Sequence, residues 1–452
     1  MRLRKTITTI VATAILLAGW QLFAVIANQP ELIPSLPRLV RTLCEWLVSG
    51  SFYQSVGATI FRGILGMSIS FVCAIGMAGL FARFEWVYEL FRPLLAIMRS
   101  IPVISFILLA LIFLNPESIP LMIAFLTMFP LLTENLTRGI LDLRPGLSIM
   151  ARQFHIKRSN VLFQIIYPQL KPFLYSGLAS AAGFGWRAII MGEVLSQCAF
   201  GIGSEMKRAQ NFIAVPELLA WTIVAVFISF FFDKGISKVA DITPKISFAN
   251  EDQTIPTPTL SVLDTKDISY QYGIQHFSHS FQKGIIYGIS APSGKGKTTL
   301  LNLIGGILLP TEGEIHPTRH FGIATIFQQP QLLPHLTAEE NIILPLSSFL
   351  TEEKARRIAQ KHLQEMEMEP FGNRYPKELS YGQQQRIAIA RALAYPSPLL
   401  LMDEPFKGLD EALSHRIIER IREKQMKEER IILFTSHNPD EIRLLADKVI
   451  YL

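Results

Sequence analysis

Long apolar runs fill the first half of this 452-residue chain, and short ones fill the second. A helix needs about 20 mainly apolar residues to cross a bilayer. Stretches 6–27, 56–80, 90–114, 118–136, 173–197 and 212–233 meet that need and predict six membrane spans. Residues 28–55 break the rhythm, and Pro30, Pro34 and Pro37 predict a turn followed by an interfacial helix. Residues 241–260 are polar, hold three prolines and lack apolar periodicity, so they predict an extended linker. Beyond it, apolar runs at 285–290, 321–326, 398–402 and 431–434 read as short buried strands. Helical patterns at 299–304 and 387–393 alternate with them. Thr351 is placed to cap a helix whose Ala355, Ile358, Ala359, Leu363 and Met366 form one apolar stripe.

Charge sharpens this division. Residues 1–250 carry 21 Lys/Arg against 12 Asp/Glu, and residues 251–452 carry 22 against 25. The net +6 therefore joins a basic membrane half to a slightly acidic soluble half, which excludes a single soluble domain. Loop 137–172 holds Arg138, Arg144, Arg152, Lys157, Arg158 and Lys171 against Asp142 alone, which predicts a cytosolic loop. Loop 114–118 has no basic residue and is predicted outside. The basic Met1–Lys5 start followed by an apolar run reads as a signal anchor with a cytosolic N-terminus, because no A-x-A cleavage site ends the run. Topology accounts for the excess base, so no nucleic-acid partner is expected. Arg62, Glu134, Arg187 and Glu193 fall in or near spans. A mid-bilayer charge costs about 2.5–3.5 kcal/mol, so these side chains either face an interior or lie at the interface. Cys44, Cys73 and Cys198 lack the spacing of a disulfide framework or zinc site.

The chemistry lies in the second half. The run 285–290 is followed by Ala291-Pro-Ser-Gly-Lys-Gly-Lys-Thr298 and then a helix. Strand, Gly-rich turn, Lys-Thr and helix form a phosphate-binding loop. Backbone N–H groups of Ser293, Gly294, Lys295, Gly296, Lys297, Thr298 and Thr299 are placed to wrap phosphates at a helix N-terminus. Lys297 supplies a charge to the outer phosphates and Thr298 a hydroxyl to Mg²⁺. Ala291 stands where the motif has its first glycine, a poor choice if that position needs positive φ. The run 398–402 ends in Asp403 and Glu404. A buried strand would deliver both acids to its C-terminal end, Asp403 for Mg²⁺ and Glu404 to take a proton from attacking water.

Three further pieces, Ile326-Phe-Gln328, Leu379-Ser-Tyr-Gly-Gln383 and Phe434-Thr-Ser-His437, complete an ordered set. Residues 262–452 resemble the nucleotide-binding domain of ATP-binding cassette (ABC) transporters. The resemblance implies ATP and Mg²⁺ as ligands. It makes Gln328 the Q-loop glutamine and a Mg²⁺ contact beside Thr298 and Asp403. Glu404, with His437 as switch histidine and Gln328, would form the catalytic set, and Tyr272 would stack on adenine. Ser380, Gly382 and Gln383 belong to the signature, whose first glycine is replaced by Tyr381, and Asp410 belongs to the D-loop. In this family the signature of one subunit closes over ATP held by the other. One cassette per chain therefore implies a homodimer with two permease halves and two composite ATP sites.

The membrane half decides the direction. Binding-protein-dependent importers carry a cytosolic loop, E-A-A-x-x-x-G-(x)9-I-x-L-P, that docks on the cassette. Residues 149–168 resemble it through Ala151, Ile165 and Pro168, with Ile149 and His155 at the glutamate and glycine positions. Phe91-Arg-Pro, Arg99-Ser-Ile-Pro102 and Gly177…Trp186…Glu193 are similar to permeases of the nitrate/sulfonate/taurine/thiamine-precursor group. The expected fold is an all-α six-span permease (1–240), a linker (241–260), and an α/β P-loop cassette with a helical subdomain (261–452). The expected function is ATP-driven import across a cell membrane, cassette inside, of a small organic or oxyanion solute delivered by an extracytoplasmic binding protein. Two rival readings stay open. The fusion itself motivates an exporter half-transporter, and the eroded loop with Tyr381 motivates a membrane-anchored ATPase without transport.

Overall fold

A computed structural model describes residues 2–240, 244–253, 260–271, 273–292, 294–317 and 322–452. It divides the chain into two units, 1–143 with 169–243, and 144–168 with 244–452. The first unit is helical. It begins with α1 (Arg2–Ala27), α2 (Leu36–Trp46), α3 (Gly50–Arg83), α4 (Glu85–Ser100), α5 (Val103–Phe113) and α6 (Ile119–Leu141). Next come α7 (Pro145–Gln153) and the short α8 (Arg158–Asn160), which belong to the second unit. A π-helical turn, Val161–Ile166, carries α8 into α9 (Tyr167–Ser196). The unit closes with α10 (Ile202–Asn211) and α11 (Val215–Ala240).

Among the described residues, α3, α6, the continuous run Arg158–Ser196 and α11 are each long and apolar enough to cross a membrane. Val11–Ala27 is a shorter apolar helix. The span expected at 90–114 is instead two helices, α4 and α5, bent by 94°. Pro102 explains the break. It has no N–H to continue a helix, and it pushes the residue before it out of the helical region. Ile101 is extended, at φ −70° and ψ 130°. The turn and helix expected after the first span are present, with proline in the first turn of α2.

Small residues let α3 approach its neighbours. Its buried positions are Ser55, Thr59, Gly63, Gly66, Ser70, Ala74, Ala78 and Phe81, spaced three or four apart along one face and small in all but the last. Ala74 and Ala78 share a core with Ala124, Met128, Leu132 and Leu136 of α6. Close backbone approach through small residues is the usual basis of helix packing in lipid, where burial of apolar surface drives little.

Two expected charges lie together in the interior. Glu193 has no exposed surface. It accepts hydrogen bonds from Thr59 Oγ1 at 3.0 Å, Arg62 at 2.8 Å and the Gly203 N–H at 3.0 Å. Arg62 reaches on to Glu117 at 2.7 Å and the Phe200 carbonyl at 2.8 Å. Glu134 is half-buried and pairs with both Arg99 and Arg138. Arg187 is exposed and lines a cavity of about 1050 Å³ with Met67, Met128, Trp186, Phe232 and Asp233.

The second unit holds two sheets. The antiparallel one, in order β2-β1-β4, comprises β1 (Val262–Tyr270), β2 (Ile274–Gln282) and β4 (Glu312–His316). The parallel one, in order β5-β6-β7-β3-β8, comprises β3 (Ile286–Ser290), β5 (Ala324–Ile326), β6 (Leu399–Asp403), β7 (Ile431–Thr435) and β8 (Lys448–Tyr451). Every residue of β6 and β7 is buried, as a strand covered on both faces requires. Around the sheets lie α12 (Lys297–Ile304), α13 (Ala338–Leu346), α14 (Glu352–Glu365), α15 (Tyr381–Ala394), α16 (Glu411–Glu428) and α17 (Pro439–Leu445).

In α14, Ala355, Ala359 and Leu363 are buried with Met366 just beyond it, and Ile358 is half-buried. Thr351 precedes the helix but makes no side-chain cap. Its hydroxyl and N–H both donate to Asp252 Oδ1, at 3.0 and 2.9 Å, so the hydroxyl is turned to the linker. The described residues of that linker, 244–253 and 260, form neither helix nor strand, and 244–253 are strapped down. Asn160 and Ser247 exchange two 2.8 Å bonds, and Gln164 donates to the Pro244 carbonyl at 3.0 Å. The Ala249 and Gln253 N–H groups donate to the Ser347 and Phe349 carbonyls. Ile246 and Phe248 pack on the core, although the linker lacks a periodic apolar pattern.

Candidate functional site

The parallel sheet gathers the chemistry at the C-terminal ends of its strands, where open α/β sheets place ligands. β3 runs into the phosphate loop. Gly294 and Gly296 have φ of 80° and 86°, a region that admits glycine freely. A Cβ at Gly296 would also stand 2.7 Å from the Gly273 carbonyl. Ala291 is not among the residues with positive φ, so alanine is unstrained there. Lys297 opens α12, and its ammonium donates to the Ala291 carbonyl at 2.7 Å and lies 3.5 Å from His437 Nδ1. Ser293 and Tyr272 lie outside the described residues. Lys295 is exposed on the loop, and Thr299 follows Thr298 on the first turn of α12.

Asp403 ends β6 directly opposite Thr435 of β7. Its two oxygens accept from the Thr298 hydroxyl at 2.9 Å and the Thr435 hydroxyl at 2.7 Å. Thr298 and Asp403 thus form a pair of hard oxygen donors at a helix N-terminus, a set that fits Mg²⁺. The Thr435 oxygen also accepts the Glu404 N–H at 3.1 Å, and Glu404 itself has φ 48°. That backbone turn aims Glu404 away from the strand. Its carboxylate lies 3.0 Å from His437 Nε2 and 3.2 Å from Lys407 Nζ. Burial pushes its pKa up, but hydrogen bonds from Gln328 and Lys407 and the charges of Lys407 and His437 outweigh it. The net shift is downward, which keeps the carboxylate ionised and able to accept a proton.

Gln328 follows β5 and is joined to Glu404 by its side chain. Ser380 caps α15 in a box with Gln383. Its oxygen accepts the Gln383 N–H at 3.3 Å, while Gln383 Oε1 accepts the Ser380 N–H at 2.9 Å. The Ser380 O–H remains available to donate. A Cβ at Gly382 would meet the Gly408 carbonyl at 2.6 Å, so only glycine lets the signature helix lie this close to the D-loop. Asp410 caps α16 by accepting the Leu413 N–H at 2.9 Å.

The expected coupling segment is part of this same unit. Ala151 and Ile165 are buried in the cassette core, Pro168 is half-buried and His155 is exposed. His155 has φ 46°, which explains why the motif has glycine there; histidine is among the residues that adopt this region more readily.

Several residues that matter here do not belong to the motifs. Phe154 has no exposed surface, stacks edge-on against Tyr395 at 5.1 Å and lies under the Arg391 guanidinium at 5.4 Å. Arg391 is 1 % exposed, and burial lowers its pKa to about 10. It donates to the Pro330 and Gln331 carbonyls at 2.9 and 2.8 Å, just past Gln328. Gln153 donates to the Gly305 carbonyl at 2.8 Å and accepts the Ile323 N–H at 2.7 Å. A charge inside the apolar run 387–393 was the one sequence signal for Arg391. Thr435 gave none.

Known proteins resemble both halves. The family described as "ABC transporter" matches residues 274–407, and "Binding-protein-dependent transport system inner membrane component" matches 66–233. The Thiamine import ATP-binding protein of Yersinia pseudotuberculosis is 34% identical over 205 residues, 42% of this chain and 86% of that protein. The Fe(3+) ions import ATP-binding protein of Rhizobium etli is 35% identical over 189 residues. That match covers 40% of this chain and 54% of the relative, so the chain spans about half the relative's length. A dimeric ATP-binding cassette solved in a post-hydrolysis state with ADP and Pi superposes with a TM-score of 0.40 at 32% identity, covering 42% of this chain and 94% of that one. With both components in one polypeptide, the chain belongs to the ABC transporter family, as an import-type permease fused to its ATP-binding cassette.

Proposed function

We propose that this chain forms a homodimer that hydrolyses ATP to drive a small organic or oxyanion solute into the cell. The solute would arrive on an extracytoplasmic binding protein, and both cassettes would lie in the cytoplasm. The observation that carries this reading is the seat of residues 144–168. Phe154 is buried against Arg391, and Arg391 holds the carbonyls that follow Gln328. A segment between two candidate spans therefore touches the loop that reaches Glu404.

In the mechanism, Lys297 and the N–H groups of residues 293–299 bind the phosphates of ATP. Thr298, Asp403 and Gln328 would hold Mg²⁺, which when bound neutralises phosphate charge. Glu404 accepts a proton from the attacking water, and His437, 3.0 Å away, orients its carboxylate. Ser380 and the N-terminus of α15 close over ATP on the second copy. Release of that closure after hydrolysis would move the 144–168 segments and reorient the membrane halves. The cavity beside Trp186 and Arg187 supplies one surface along which a solute could pass.

Reconstituted vesicles test this. With the binding protein supplied on the outer side, wild-type chain should accumulate solute when MgATP is inside the cytoplasmic compartment. Glu404→Gln should bind ATP and hydrolyse it at least about a hundredfold more slowly. Outward pumping without a binding protein would overturn the import direction. Uptake unchanged in Glu404→Gln would overturn the motor.

A further inference from the structure

Tyr381 departs from the family pattern at the point where the signature meets the Q-loop. It is the first residue of α15, directly after the Ser380 cap. Its hydroxyl donates to the Gln328 carbonyl at 2.8 Å, across 53 residues of sequence. Its ring lies against the D-loop, where a Cβ at Gly408 would stand 2.7 Å from Tyr381 Cδ1. Glycine in this place offers neither contact. Further along the same helix, Arg391 holds the Pro330 and Gln331 carbonyls. The Q-loop is therefore lashed to α15 at two points that flank Gln329. Gln328 itself hydrogen-bonds Glu404 through its side chain.

A helix moves as a rigid body more readily than it bends, because its backbone bonds act together. Displacing α15 then pulls the Q-loop backbone at both ends. We propose that Tyr381 is a positioning residue that transmits closure of the signature over the second copy's ATP to Glu404 of its own chain. This rests on the dimeric ATPase reading above. Each site would then sense occupancy of the other through one phenol hydroxyl, and hydrolysis would be positively cooperative in ATP. Arg391 alone cannot do this, because it holds the loop beyond Gln328 and leaves the Gln328 carbonyl unfixed. The ring on Gly408 adds a second consequence, since the D-loop follows Glu404 by only a few residues.

The test uses the full-length dimer in lipid nanodiscs with MgATP. Wild type should show a Hill coefficient above 1. Tyr381→Phe keeps the ring and removes the hydroxyl. It should bring the Hill coefficient close to 1 and lower kcat about 3- to 10-fold, with KM for ATP within about 2-fold. Tyr381→Gly should lose cooperativity equally. In a Glu404→Gln background, amide hydrogen exchange over residues 326–331 should slow on adding ATP, and Tyr381→Phe should abolish that slowing while ATP still binds. Wild-type cooperativity and exchange in Tyr381→Phe would overturn the proposal, including the case where only Tyr381→Gly is impaired. Absence of hydrolysis in wild type would instead overturn the ATPase reading, and the inference with it.

Discussion

At the scale of single residues, the phosphate site was legible because phosphate chemistry dictates residue types. Glycines at 294 and 296 need φ near 80°, and lysine and threonine must follow at once. The partner residues were hidden for a different reason. Thr435 reaches Asp403 and the Glu404 N–H across a parallel sheet, and no local spacing records a register between β6 and β7. The sheet therefore predicts that Thr435→Val leaves the strand buried but removes both bonds. Glu404 would lose its backbone anchor, and kcat should fall about 10- to 100-fold, by roughly 1.4–2.7 kcal/mol. Steady-state hydrolysis with ATP binding measured in parallel checks this; the binding should be nearly unchanged. Ala291 shows the opposite error. The sequence motif invites a glycine, yet the backbone there does not use glycine's freedom.

At the scale of elements, β3, β5, β6 and β7 and helices α12, α14 and α15 followed from apolar patterns, while the antiparallel sheet, β8, α13, α16, α17, the breaks and the seats did not. The α4–α5 bend lies at a proline visible in the sequence, but an apolar run on both sides reads as one span until the 94° angle is seen. Residues 144–168 carry an unremarkable pattern because their apolar side chains serve the core of the second unit, to which they belong. Phe154→Ala should lower the stability of that unit by about 3 kcal/mol, the scale for removing a fully buried aromatic ring. Thermal unfolding checks the loss, and basal hydrolysis that no longer responds to solute checks the uncoupling. The helical subdomain holds a pH-sensitive element. Burial, then the nearby charges of Lys424, Lys361 and Arg430, lower the His362 pKa to about 3. Its Nε2 lies 3.2 Å from the Lys424 ammonium, a donor-only partner that suits the neutral ring. The unfolded chain takes up this proton near pH 6.5 and the folded one only near pH 3. Stability contributed here is thus full above pH 6.5 and declines as pH falls toward 3. Between pH 7 and 5.5 the loss should be about 1 kcal/mol, and His362→Gln should flatten that slope in chemical denaturation.

At the scale of the whole molecule, the charge count separates a basic from a slightly acidic half, and the fate of the charges in and near the candidate spans adds what charge counts omit. Glu193 and Arg62 form an interior network that ties α3 to the start of α10. Without Glu193, Arg62 keeps Glu117 but loses one of its two carboxylates, and the buried Gly203 N–H loses its acceptor, which costs about 1–3 kcal/mol for a polar group left unsatisfied. Glu193→Ala should therefore sharply lower the thermal stability of the detergent-solubilised chain, and Glu193→Gln should recover part of it through Thr59 and Gly203. The strapped linker has a different bearing. Asn160 and Ser247 join the segment between two spans to the chain that leads into the cassette. In a transporter assembled from separate polypeptides, one motor is free to serve several permeases, and its supply limits them all. Here gene dosage sets both parts at once, one motor for each permease, so competition for a shared ATPase cannot tune this transporter.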